Sequence, residues 1–157
     1  MIASAVLLGL LAGPVHAGPN PSADAADLLV EASLSTAGPY GELWILRLTP
    51  NGDIFLRVHY ALNPSGSLMA EFDVTDEHLA SLRKAIESER FFELPEEISP
   101  EAVALHEPDF RLEITVGHRK HKVELYDPVQ LKSDANARRF LTVWAELFKS
   151  VPLKPSW

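Results

Sequence analysis

From Phe110 to Val116 the chain alternates apolar and polar residues, and this run constrains the fold more than any other. Phe110, Leu112, Ile114 and Val116 share one phase, and Arg111, Glu113 and Thr115 the other. Successive side chains of a strand point to opposite sides, so such a strand has one packed face and one wet face. Gly117-His118-Arg119 supplies a turn, and Lys120–Tyr126 the returning strand. A wet face belongs to an antiparallel sheet, because parallel sheets are covered on both sides.

A second hairpin lies upstream, with Glu42–Leu48 and Ile54–Tyr60 joined through Thr49-Pro50-Asn51-Gly52-Asp53. Asn-Gly accepts the positive φ angles of a tight reversal, and Pro50 presets its entry. Leu28–Leu34 reads as a short first strand ended by Ala37-Gly38-Pro39. Asn63-Pro64-Ser65-Gly66 reads as a turn leading into a strand over Leu68–Val74. The period then changes: Leu79, Leu82 and Ile86 recur at helical spacing, after a Thr75 cap and the acidic pair Asp76-Glu77. This helix ends near Arg90, and Phe91-Phe92-Glu93-Leu94-Pro95 turns the chain back so that Phe91 or Phe92 closes the core. Ser99-Pro100-Glu101 suggests one short helical piece capped by Ser99. A last helix starts at Ser133 or Asp134, carries a stripe of Phe140, Trp144, Leu147, Phe148 and Val151, and stops at Pro152. The expected architecture is α+β: an antiparallel sheet of about five or six strands, in the order strands, helix, hairpin, helix, with both helices packed on one face.

Met1–Ala17 is an apolar run with Val15 and Ala17 at the small-residue positions of a signal-peptidase site, although no Lys or Arg precedes it. Pro14, His16 and Gly18-Pro19-Asn20-Pro21 stop it short of the about 20 residues that span a bilayer. The sequence therefore divides into a signal peptide (1–17), a flexible spacer (18–27) and a single domain (28–157). Every charged side chain follows residue 17, so the exported part keeps the net charge of −8, which disfavours binding to nucleic-acid phosphates. Cysteine is absent, which excludes disulfides, thiol nucleophiles, cysteine-zinc sites and a lipidated Cys. The expected product is exported (periplasmic or secreted), unlipidated and free of the membrane once the signal is removed.

Pro39-Tyr40, Asn51-Gly52, Phe91-Phe92-Glu93-Leu94-Pro95 and Pro108-Asp109-Phe110 through Gly117 punctuate the stretch from about Leu28 to Asp127. In this the chain resembles a family of small exported bacterial domains of unknown function. Many members of that family carry a Cys pair before the Pro-Tyr element, where this chain has Ser35–Gly38. The resemblance implies a fold and carries no activity.

Motifs of chemistry are sparse. His118 and His121 flank a hairpin turn, where Glu124 or His106 could join them around a metal ion, but no spacing enforces convergence of the three or four ligands required. Ser81-Leu82-Arg83-Lys84 has the Ser-x-x-Lys form of penicillin-binding enzymes. Its Ser lies mid-helix, Ser133-Asp134-Ala135-Asn136 breaks the second motif, and no Lys-Thr-Gly follows. Glu93, Glu96, Glu97, Glu101, Glu107 and Asp109 crowd the linker without calcium-loop spacing, which makes a solvated acidic loop the simpler reading. On the wet face, Arg57 and His59 are expected beside Arg111, Glu113, Lys122, Glu124 and Tyr126. Such a face can recognise a protein, or it can be a set of cross-strand ion pairs. The expectation is a non-enzymatic module that contacts an unknown protein partner and uses no cofactor. A small-ligand or metal binder on the sheet face or the His118/His121 hairpin stands second, and an enzyme third.

Overall fold

The computed structural model describes residues 27–36, 41–102 and 108–153. The signal segment 1–17, the spacer up to residue 26, the break at Ala37-Gly38-Pro39, the Pro39-Tyr40 element and His106 lie outside them. In chain order the elements are β1 (Leu28–Ser35), β2 (Glu42–Leu48), β3 (Asp53–Tyr60), β4 (Asn63–Asp73), α1 (Asp76–Ser88), β5 (Glu97–Ile98), β6 (Asp109–Val116), β7 (Arg119–Tyr126) and α2 (Ala135–Leu147). The fold is α+β with two helices, as the pattern implied. The sheet differs: it has seven strands in the order β4-β3-β2-β1-β6-β7-β5, and it is mixed. Its first five pairings, from β4 to β7, are antiparallel, while β5 runs parallel to β7, with Glu97 opposite Glu124 and Ile98 opposite Leu125. Two residues hold no alternation to read. Burial of Ile98 and a 2.8 Å bond from the Glu124 amide to the Glu96 carbonyl bring this segment onto β7.

β1 unites the two hairpins. Its Leu34 faces Trp44 of β2 on one side and Phe110 of β6 on the other. The alternating apolar phase of these strands is buried together with Leu79, Leu82 and Ile86 of α1 and Phe140, Val143, Trp144 and Leu147 of α2. Both helices therefore cover the same face, and the opposite face of the sheet is open. Ser81 on α1 donates to Glu146 Oε1 on α2 at 2.7 Å and ties the two helices together.

Local chemistry sets the element ends. Gly52 at φ 91° makes the first reversal, where an added Cβ would sit 3.4 Å from the Val74 carbonyl oxygen. Gly117 at φ 58° makes the second. The Thr75 hydroxyl accepts from the His78 amide at 3.3 Å, and the Asp134 carboxylate from the Ala137 amide at 2.8 Å. These bonds satisfy donors that each helix start would otherwise leave open. Arg90 at φ 52° reverses the chain after α1, and the Arg139 guanidinium donates to the carbonyls of Glu89 (2.7 Å) and Arg90 (2.9 Å). Of the Phe91-Phe92 pair, Phe91 is the one fully buried.

Two local expectations are corrected. Ser99-Pro100-Glu101 forms no helix, and the Ser99 hydroxyl donates to the Glu97 carboxylate at 2.9 Å. The reversal expected at Asn63–Gly66 sits instead at Ala61-Leu62, where Tyr60 faces Asn63 after a register shift beyond Val58. The Ala61 amide bonds the Gly41 carbonyl at 2.9 Å and fixes that turn. Pro64 then falls on an edge strand, where proline's missing donor is tolerated. Among the described residues no helix is long and apolar enough to cross a membrane.

Candidate functional site

The strand register lays the open face out in rows. One row crosses the sheet as Met69, Arg57, Ile45, Ser33, Arg111 and Glu124. The next runs Glu71, Phe55, Arg47, Glu31, Glu113 and Lys122, and a third runs His59, Leu43, Ser35, Asp109 and Tyr126. All seven residues expected on the wet face do lie on it. They do not form one cluster. Arg57 and His59 stand on β3, and the other five stand on β6 and β7, with β2 and β1 between them. Three strand spacings, roughly 14 Å, separate the two groups.

The β6–β7 group is satisfied by its own charges. Glu113 accepts from Lys120 at 2.6 Å and lies 3.6 Å from Arg111, and Glu124 accepts from Lys122 at 3.0 Å. The Tyr126 hydroxyl donates to the other Glu124 oxygen at 2.8 Å. The Lys120 hydrogen bond holds the Glu113 carboxyl below its ordinary range, and bonds from Lys122 and Tyr126 do the same for Glu124. Burial, with the Glu124 charge beside it, pushes Asp109 up. Each exposed pair of this kind contributes only a few tenths of a kcal/mol. The lowered carboxyls Glu113 and Glu124 add stability above the ordinary carboxylate range, and that stability is lost as pH falls through their folded values. Asp109, with its raised value, has the opposite sign.

Tyr126 offers a measurable consequence. Its hydrogen bond to Glu124, then burial, pushes the phenol up to about 12. A raised acid of this kind contributes stability that is complete below its ordinary value near 10 and is lost as pH rises through about 12. Titration of tyrosinate absorbance should therefore show one late phenol, which Glu124→Gln brings back toward its ordinary value. A late phenol unmoved by that substitution would contradict the assigned bond.

The β2–β4 half is different in kind. Leu43, Ile45, Phe55 and Met69 are 38%, 41%, 44% and 72% exposed. The register places Ile45 two residues from Leu43 on β2 and diagonal to Phe55 on β3, and Met69 diagonal to Phe55. The four are therefore contiguous, and contiguous apolar surface signals an interaction where single exposed residues do not. A depression of about 460 Å³ runs over Ile45, Arg47, Phe55, Arg57, Met69 and Glu71. A second, of about 370 Å³, runs over Glu31, Ser33, Leu43, Ile45, Arg47 and Arg111. They share Ile45 and Arg47 and form one apolar strip set with three arginines. Arg47 lies 3.8 Å from Glu31, and Arg57 makes no ion pair among the described residues. The sequence pattern marks Arg57 but does not single out the four apolar residues. The signal was present: Leu43-Trp44-Ile45-Leu46 and Ile54-Phe55-Leu56 are unbroken apolar runs, in which both strand faces are apolar.

The other candidates resolve into structural roles. His121 shares the core-facing phase of β7 with Val123 and Leu125, lies edge-on to Phe91, and bonds the Leu94 carbonyl at 2.8 Å. Glu124 points to the opposite face, and His118 is exposed in the turn. That hairpin therefore brings no ligand set together, and no cluster of three metal-binding side chains occurs among the described residues. His59 Nδ1 lies 2.9 Å from the Ser67 hydroxyl. Ser81 is occupied by Glu146, with Lys84 exposed on α1. No protein-family model matches the chain, and no curated protein matches it significantly.

Proposed function

We propose that the chain is an exported, non-enzymatic interaction module that binds a polypeptide on the open face of its sheet. The ligand this surface suits is a segment of apolar side chains flanked by carboxylates. The observation that carries the reading is the contiguous strip of Leu43, Ile45, Phe55 and Met69 beside Arg47, Arg57 and Arg111. Apolar anchors release water on contact, and arginines at their border favour carboxylates and set register. The Arg47–Glu31 pair is long and exposed at 3.8 Å, and Arg111 is half-exposed 3.6 Å from a Glu113 that Lys120 also holds, so turning either arginine to a partner's carboxylate costs little. The apolar Met1–Ala17 segment supports the export part of this reading.

A small ligand fits this surface less well. Its depressions have the volume of ligand pockets, but one sheet face walls them, whereas such pockets enclose most of a ligand's surface. The test is crosslinking in the native extracytoplasmic compartment, with bound proteins identified by mass spectrometry. A partner recovered above the background of a scrambled-sequence control is expected, and its crosslinks should map to β2–β4. No partner above that background would sink the reading.

A further inference from the structure

The two edges of the sheet are treated differently. At one end β7 carries Arg119, Lys120 and Lys122, and the 94–98 segment lies along it through the Leu94, Glu96 and β5 contacts. Charged and covered edges resist pairing with other chains. At the other end β4 is eleven residues long, has no Lys or Arg, and pairs only with β3 among the described residues. Its Ser67–Asp73 stretch contains neither Pro nor Gly, and Leu68 and Met69 are 37% and 72% exposed. An uncovered edge with no cation, and with two acids only at its C-terminal end, offers the backbone donors and acceptors of Ser67–Asp73 to another strand.

We propose that β4 pairs antiparallel with β4 of a second copy of this chain, about a two-fold axis at Ala70. The charges of the strand select this occupant and direction. Glu71 and Asp73 lie together at the C-terminal end, so in-register parallel pairing would set each acid against its twin. Antiparallel pairing centred on Ala70 sets Asp73 against Ser67, Glu71 against Met69, and Leu68 against Phe72. The interface is self-complementary, as a two-fold dimer requires. It also supplies a missing ion pair. Within one chain Arg57 stands directly opposite Met69, and neither Arg57 nor Glu71 has an ion-pair partner among the described residues. In the dimer the second copy's Glu71 occupies the far side of Met69 in the same row, on the same face. Two strand spacings, roughly 10 Å between Cα atoms, separate Arg57 from it, a span an Arg and a Glu cover by reaching across Met69. The symmetry makes this pair twice. The dimer would run the apolar strips of both copies together across the axis, giving one continuous sheet.

Sedimentation of the purified chain tests this. The native chain should form a concentration-dependent dimer. Arg57→Glu and Glu71→Arg should each weaken it about tenfold or more, since each change sets like charges together twice. The double variant Arg57→Glu/Glu71→Arg swaps the charges and should restore the dimer. Sedimentation as a monomer up to about 1 mM, where even a contact of about 4 kcal/mol would register, overturns the proposal. So does a dimer indifferent to both single changes, and so does a double variant that fails to recover. Capture of another protein by the open face is scored separately, by crosslinking, so failure of either reading leaves the other measurable.

Discussion

Trp144→Ala should destabilise the fold by about 3–5 kcal/mol, the largest loss expected from any single side chain here. Trp144 is 1% exposed and stands at the centre of an aromatic cluster. Its ring meets Phe110 of β6 edge-on at 5.0 Å and stacks on Phe148 at 4.8 Å and on Phe140 at 6.1 Å. It is thus a central contact between α2 and the sheet. Truncation removes the transfer energy of a large ring and leaves a cavity that three other rings cannot close without leaving their rotamers. A typical domain has only about 5–15 kcal/mol in total, so the variant would be close to unfolding. Trp144→Phe gives a sharper comparison. The indole Nε1 is buried with no acceptor among the described residues, and its removal relieves an unsatisfied donor. The Phe variant should therefore lose clearly less than the Ala variant. Urea unfolding measures both, through a midpoint that moves while the slope stays fixed. A loss under about 1 kcal/mol for Trp144→Ala would mean that the helical layer is not packed on the sheet as described.

Ile45→Glu should reduce capture of the polypeptide partner about thirtyfold, the equivalent of about 2 kcal/mol for a central interface anchor. Ile45 lines both depressions and joins Leu43 to Phe55, so a carboxylate there divides the apolar strip and would be stranded beneath the partner. The fold should tolerate the change. Ile45 is 41% exposed on the open face and stands between Ser33 and Arg57, so stability should move by no more than about 1 kcal/mol. Lys122→Ala, in the charged half, is the matching control. Its partner Glu124 also accepts from Tyr126, and capture should stay within about twofold.

Both variants bear on what the sequence could disclose. Strand phase and helix starts were legible because their causes are local. Phe110–Val116 alternates, Asn51-Gly52 turns, and Thr75 and Asp134 cap the helices that follow them. The sheet order was not legible. β1 carries no mark saying that it will separate β2 from β6, and that separation is what parts Arg57 and His59 from Arg111 and Glu124. β5 was invisible for a related reason. Its two residues are a strand only because β7 is already there to receive them. At Ser99 the Ser-Pro-Glu signature opens no helix, and the hydroxyl bonds back to the Glu97 carboxylate. The apolar strip was half legible. Leu43 and Ile45 alternate with Trp44 and Leu46, and a run apolar in both phases has one phase too many for a sheet with a single covered face. That surplus is now the main evidence for function, while the charged residues first singled out on β6 and β7 mostly pair with one another and Arg57 borders the strip.

The central claim is that the open face, and not the helical layer, receives the partner. A photo-crosslinking residue placed at Phe55 on β3 tests it against one at Lys84, exposed on α1. In cells that express the chain, the probe at Phe55 should yield a discrete polypeptide adduct that Ile45→Glu strongly weakens, and the probe at Lys84 should yield none. An adduct formed at Lys84 instead, or at both positions and indifferent to Ile45→Glu, would contradict it.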